Sequence, residues 1–108
     1  MQNVGIGTKT PQEKLSVNGK IRAHEIKLEV NGWPDYVFLT DYKPMSISAM
    51  ENYIKQHGHL PGISSAKEVE SNGAAVGEIL KQLLKNQEHL SLYIIELQNK
   101  IEVLEKKK

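Results

Sequence analysis

The last third of the chain repeats apolar residues in alternating steps of four and three, and this pattern restricts the fold most. Between Val76 and Glu105 the repeat runs for about four heptads, which is long enough to predict a coiled coil. We call this row of residues the seam, and its members are Val76, Leu80, Leu83, Gln87, Leu90, Ile94, Leu97, Ile101 and Leu104. Gln87, at an a position, is the one polar residue in the row.

A helix of this length cannot be enclosed by its own chain. Thirty residues at about 1.5 Å each form a rod of roughly 45 Å, whereas a compact chain of this size is only about 26 Å across. We therefore predict that the seam packs against other copies of the chain. The alternative is a long helix that packs on its own globular domain. A second apolar set keeps that alternative open, and we expect part of it to face the rest of the chain: Ile79, Leu84, Leu92, Tyr93, Ile95 and Val103.

Short strands are predicted in the N-terminal part of the chain. Residues 13–17 and 20–23 alternate apolar and polar side chains, and the turn-forming pair Asn18–Gly19 lies between them. This arrangement predicts a hairpin. Residues 26–30 continue the period of two and predict a third strand. Strands with one apolar face need a partner, which neighbouring chains of an oligomer would supply.

The middle of the chain combines aromatic residues with helix caps. Pro34 is expected to prevent a helix, so we predict an extended segment over residues 36–39, with Trp33 and Phe38 as the heaviest apolar anchors. These aromatics are interpreted as a packing hub, and a ligand platform is the alternative. Two short helices should follow. Capping-box patterns begin at Ser48, with Ser46 as a competing cap, and at Ser65, and the turn signals after the helices are Gly58 and Asn72–Gly73.

Composition excludes several functional classes. With 14 basic and 13 acidic residues the net charge is +1, which gives no electrostatic basis for nucleic-acid binding. The chain has no cysteine, so it has neither disulfides nor thiolate chemistry. No apolar run reaches the length that crosses a bilayer, so we predict no membrane insertion.

No residue pattern indicates catalysis. His57 and His59 would bind a metal only if several copies met on an axis, and we expect them to serve as a helix end and a loop contact instead. Serines lie near lysines, as a Ser–Lys nucleophile pair would require, but their capping positions already explain them. We therefore predict a protein that is not an enzyme, with no catalytic residue, metal or cofactor.

Two segments resemble a known group of fibrous proteins. Residues 4–8 (VGIGT), Pro11 and the alternating run over residues 14–23 resemble the motif that closes the shaft of many phage tail fibres and related bacterial surface fibres. A second set looks like the C-terminal region of such proteins from the Bacteroidetes group, and it comprises residues 33–38, 53–54, 58–63 and 65–69. The layout is similar to the endosialidase-type intramolecular chaperone, which has strands, short helices and then a trimeric coiled coil.

The resemblance implies a homotrimeric C-terminal module that nucleates fibre assembly and sets its register, on a phage virion or a bacterial surface. Alternatives are a fibre tip that binds a receptor or glycan, and an autoproteolytic chaperone. In self-cleaving relatives the cleavage motif begins with Ser-Asp. That pair does not occur in this sequence, so no catalytic residue is transferred.

The resulting fold prediction is α+β, with short N-terminal strands, a small helical middle segment and a long helix in a parallel trimeric coiled coil. We divide the chain into a β-rich fibre-end segment (residues 1–30), a small α/β connector (31–75) and the coiled-coil helix (76–108). Ile at a with Leu at d favours two strands, whereas the resemblance favours three. Apolar residues at the flanking g and e positions widen the interface and suit a trimer, which is our prediction: Ile79, Tyr93 and Leu84.

Overall fold

A computed structural model describes residues 2–108 of the chain. It confirms an α+β fold with an elongated shape. Strands β1 (Val4–Ile6) and β2 (Leu15–Val17) come first, and a 3-10 helix (Pro34–Phe38) follows. Three α-helices complete the chain, namely α1 (Ile47–His57), α2 (Ala66–Asn72) and α3 (Val76–Lys106).

The two strands pair in parallel, and the hairpin prediction is wrong. Val4 lies opposite Leu15 and Ile6 opposite Val17. Asn18 closes the end of this ladder instead of turning the chain, since its backbone N–H donates to the Ile6 carbonyl oxygen at 2.9 Å. Its side-chain Nδ2 donates to the Gly7 carbonyl oxygen at 3.3 Å. The pairing partner of β2 is thus the glycine-rich segment at the start of the chain, for which no strand was predicted.

Residues 20–31 form no strand, so the predicted second arm of the hairpin and the third strand are both absent from this part of the single chain. Ile21, Ile26 and Leu28 remain exposed there. The segment ends beside the second turn of α3, where the Asn31 carbonyl oxygen accepts a hydrogen bond from Lys81 Nζ at 2.8 Å.

The extended segment predicted for residues 36–39 is a 3-10 helix. Pro34 occupies its first turn, where a fixed φ is favourable and the missing N–H is not needed. Pro34 and Val37 are buried, whereas Trp33 and Phe38 are about half exposed. The predicted aromatic anchors are therefore not the core of the single chain.

Side-chain caps fix the ends of α1 and α2. Ser46, and not Ser48, caps α1 by accepting the Ala49 N–H, and Glu51 pairs with Lys55 at 2.8 Å instead of completing a capping box. Gly58 ends α1 in the left-handed region with φ 71°, as predicted. Ser65 and Glu68 form the predicted capping box of α2, and the two hydrogen bonds with Ser65 lower the pKa of Glu68.

Helix α3 sets the length of the molecule. It spans 31 residues, and the principal extents of the chain are 70 × 30 × 26 Å. The radius of gyration is 19.9 Å, compared with about 13 Å for a compact chain of 100 residues. Within residues 2–108 no helix combines the length and the apolar character that a bilayer crossing requires.

Candidate oligomerisation surface

The seam forms one exposed face of α3. Its apolar side chains are between 45% exposed, at Leu80, and 64% exposed, at Ile94. A globular protein rarely leaves a continuous row of this kind in water, since burying one such side chain contributes about 1.5–3 kcal/mol. In a single chain the seam side chains stay in contact with water along the whole helix, so this stabilisation is not gained.

The opposite side of α3 carries the rest of the chain. We call residues 30–75 the body, and they contact a second row of residues on α3, the docking face: Lys81, Lys85, Glu88, His89 and Tyr93. At about 100° per residue, Lys85 in the middle of this row lies roughly 180° from the centre of the seam residues between Leu80 and Ile94. The chain therefore packs on itself without covering the seam.

Sequence reasoning included Tyr93 among the residues expected to face the rest of the chain but missed the other members of the docking face, although a signal for them exists. Lys81, Lys85, His89 and Tyr93 follow one another at steps of four, which places them on one ridge of the helix. Because these residues are mostly polar, a search for apolar periodicity does not select them. The contact depends on hydrogen bonds and long side chains more than on an apolar stripe.

The second apolar set divides between covered and exposed positions. Tyr93 is buried under the body, and Ile79, Leu84 and Leu92 are partly covered. Ile95 and Val103 are 57% and 52% exposed, so the chain does not pack on them. Tyr93 is held away from the seam by its hydroxyl, which donates to the Met45 carbonyl oxygen, and it does not widen the seam as predicted.

His89 and Tyr93 form the polar centre of the docking face. Nε2 of His89 lies 2.8 Å from the Tyr42 hydroxyl, and the two side chains share a hydrogen bond. Burial lowers the pKa of His89 below its ordinary value of 6.5, and the neighbouring Lys85 ammonium lowers it further. Burial also raises the pKa of Tyr93. Both groups are thus held in their neutral forms.

Glu88 is the least satisfied buried group in the contact. It is 6% exposed, and its Oε1 atom has no hydrogen-bond partner among residues 2–108. Burial raises the pKa of Glu88, and the charge of Asp35 on the 3-10 helix, together with a side-chain hydrogen bond to it, raises it further. Two carboxyl groups therefore share one side of the docking contact.

A small cleft separates the loop at Gly62 from α3. Its volume is about 220 Å³, and its lining includes Met50, Pro61, Gln82, Lys85, Asn86 and His89. Gly62 lies so close to the Gln82 side chain that a β-carbon there would collide with it. Nδ2 of Asn86 is buried with no hydrogen-bond partner in the described part of the chain. The cleft contains no seam residue, and Asn86 lies at its border with the seam.

The histidines and serines considered for metal binding or catalysis take part in contacts that stabilise helix ends and loops. His57 and His59 stack around Tyr53 at the end of α1, with ring centroids 4.3 and 5.5 Å from that of Tyr53. Nδ1 of His59 is 3.0 Å from the Leu60 carbonyl oxygen. No group of three or more His, Asp or Glu side chains with metal-binding geometry occurs in residues 2–108. Ser46 and Ser65 serve as helix caps.

The chain was compared with protein-family models, with curated proteins and with solved structures, and none of them matches it.

Proposed function

We propose that this chain is a self-assembly module whose copies associate through the seam of α3. The observation that supports this proposal is the division of α3 into two sides, in which the body packs on the docking face and leaves the whole seam exposed. A helix that served only its own domain would bury its apolar row and expose its lysines. In this chain Lys81 is partly buried and Leu90 is 48% exposed.

We further propose that the assembly is a parallel homotrimer at the C-terminal end of a tail fibre or bacterial surface fibre. The support for three chains is the resemblance of residues 4–23 and 33–69 to fibre-end proteins, together with the partly apolar flanks Ile79 and Leu84. In a trimer the three Gln87 amides would meet on one axis, and a polar a position of this kind selects register and strand number. The module would hold three fibre chains together and align them.

The test uses two neighbouring isoleucines. Ile94 lies in the seam and Ile95 on the other side of α3, and they are similarly exposed at 64% and 57%. In a monomer the substitutions Ile94→Asp and Ile95→Asp should have similar effects. In the proposed assembly only Ile94→Asp places a charge in the interface.

We expect light scattering after size exclusion to give about three times the chain mass of 12.2 kDa for the wild type and for Ile95→Asp. Ile94→Asp should elute as a monomer. A monomeric wild type at micromolar concentration would overturn the proposal. A dimer would show that the a and d preferences outweigh the family resemblance.

A second candidate function is ligand binding at the fibre tip, and the cleft beside Gly62 supports it. A buried unpartnered amide, Asn86 Nδ2, lies there with Gln82 and Lys85, and these side chains offer donors to a glycan or another ligand rich in acceptors. Trp33, the residue first considered for this role, does not line the cleft. A glycan array with wild type and Asn86→Leu tests this candidate, which requires wild-type signal that the variant loses.

A further inference from the structure

The residues that border the seam change in chemical character along α3. In a parallel coiled coil, a g residue of one helix lies beside the e residue five positions later in its neighbour. Counting g and e from the seam gives four such levels: Ile79 with Leu84, Asn86 with Ser91, Tyr93 with Gln98, and Lys100 with Glu105.

The first three levels contain no charge. Ile79 and Leu84 are both apolar, so the first level extends the seam. Asn86 and Ser91 are uncharged, and Ser91 Oγ donates to the Gln87 carbonyl oxygen at 3.0 Å. Tyr93 is withdrawn under the body by its hydrogen bond to Met45, which leaves the third level without a g side chain.

The last level alone combines opposite charges. Lys100 Nζ lies 3.1 Å from Glu96 Oε1 of its own helix, but both side chains are more than 60% exposed and can exchange partners. Glu105 is exposed and has no salt bridge with residues 2–108. The free end of α3 thus presents a cation and an unpaired anion along opposite borders of the seam.

We infer that Lys100 of one copy pairs with Glu105 of the next, and that this pair fixes parallel, in-register alignment and selects a second copy of this chain as partner. The inference rests on the proposed association through the seam. Sliding one helix by a heptad would place Lys100 beside the uncharged Gln98 or beyond Glu105. Antiparallel overlap of the two seams would bring Lys100 near the apolar level at Ile79.

Orientation is tested with one introduced cysteine. The chain has no cysteine of its own, so Lys108→Cys carries a single thiol at the exposed end of α3. In parallel assemblies these thiols meet, and air oxidation should convert most of the chain to disulfide-linked dimers. Antiparallel helices would hold them roughly 45 Å apart, and an uncrosslinked but associated protein would overturn the inference.

Register and partner selection are tested by reversing charges beside the seam while the seam residues themselves stay unchanged. Lys100→Glu and Glu105→Lys each place like charges at the last level, whereas the double variant restores opposite charges. Matched controls in the same turns are Lys106→Glu and Glu102→Lys, which lie away from the seam. Lys100→Glu and Glu105→Lys should each have a melting temperature roughly 5 °C below that of the matched control, and the double variant should recover the lost melting temperature.

Mixing and salt complete the test. An equimolar mixture of Lys100→Glu and Glu105→Lys should melt above either variant alone, and the differences should shrink in 1 M salt, where the Debye length is about 3 Å. If all variants associate by light scattering but the border variants match their controls, the pairing is wrong while the seam proposal stands. If the wild type does not associate, the seam proposal itself fails.

Discussion

At the level of single residues, the contact between body and helix contains groups whose charged forms are disfavoured by burial. The pKa of His89 is lowered and that of Glu88 is raised, each first by burial. The two shifts have opposite consequences for how the stability of the protein depends on pH. Stability from His89 is present above pH 6.5 and is lost as pH falls through its folded-state pKa. Stability from Glu88 is present below pH 4.5 and is lost as pH rises through its folded-state pKa.

The Glu88 carboxyl should therefore weaken the protein at neutral pH. Glu88→Gln retains the shape of the side chain, removes the charge beside Asp35 and provides an amide donor to it. We expect the variant to have a higher free energy of unfolding than the wild type at about pH 7 and a smaller decline between about pH 4.5 and pH 7. Urea unfolding across this range measures both quantities.

The control for this prediction is Glu102→Gln, since Glu102 is an exposed glutamate of the same helix. Glu102→Gln should change the pH dependence of the free energy of unfolding little. A Glu88→Gln variant that is less stable than the wild type at neutral pH would mean that the ionised carboxylate stabilises the contact with the 3-10 helix.

At the level of elements, the three α-helices and strand β2 were predictable, whereas β1, the parallel pairing and the 3-10 helix were not. The heptad pattern predicted α3 to within a residue at its C-terminal end, and the Ser65 capping box and Gly58 marked boundaries correctly, because local hydrogen bonds and backbone conformation determine these features. The parallel β1–β2 pair depends on a tight loop over residues 7–14 that no hairpin rule describes. Apart from Tyr93, the docking face escaped prediction because its residues are polar.

Gly7 lies inside the tight parallel pair, and Gly32, which lies outside it, provides a matched comparison. A β-carbon on Gly7 would lie 2.9 Å from the Asn18 carbonyl oxygen, and Gly7 has φ 75°. Gly32 has nearly the same φ, 73°, but open space around it. Gly7→Ala and Gly32→Ala therefore share a backbone strain of about 1–3 kcal/mol, and only Gly7→Ala adds a collision.

We expect Gly7→Ala to separate β1 from β2 while Gly32→Ala leaves them paired. Hydrogen exchange of the Val4 and Asn18 amides reports this directly, because those N–H groups donate to Lys14 and Ile6 across the pair. Both should exchange faster in Gly7→Ala alone. Equal protection in the two variants would show that the loop relaxes around an added methyl group.

At the level of the whole molecule, one chain buries few apolar side chains. Among residues 2–108 the buried apolar side chains are Pro34, Val37 and Tyr93. Val4, Ile6, Leu15 and the apolar seam residues are all more than 40% exposed. Ordering the backbone costs roughly 1–2 kcal/mol per residue, which such a core cannot offset. Association through the seam would supply the missing burial and hold the N-terminal segments of several chains near one another.

Folding should therefore be coupled to assembly, and the melting temperature should depend on protein concentration. If the folded state is an oligomer and the unfolded state a monomer, mass action raises the melting temperature as concentration rises. We expect circular dichroism melts recorded at concentrations about a hundredfold apart to differ by several degrees for the wild type and for Ile95→Asp. Ile94→Asp should have no cooperative melt at either concentration. A concentration-independent, cooperative transition of a monomeric Ile94→Asp would mean that the body and the docking face of α3 fold without the seam, and that association follows folding instead of producing it.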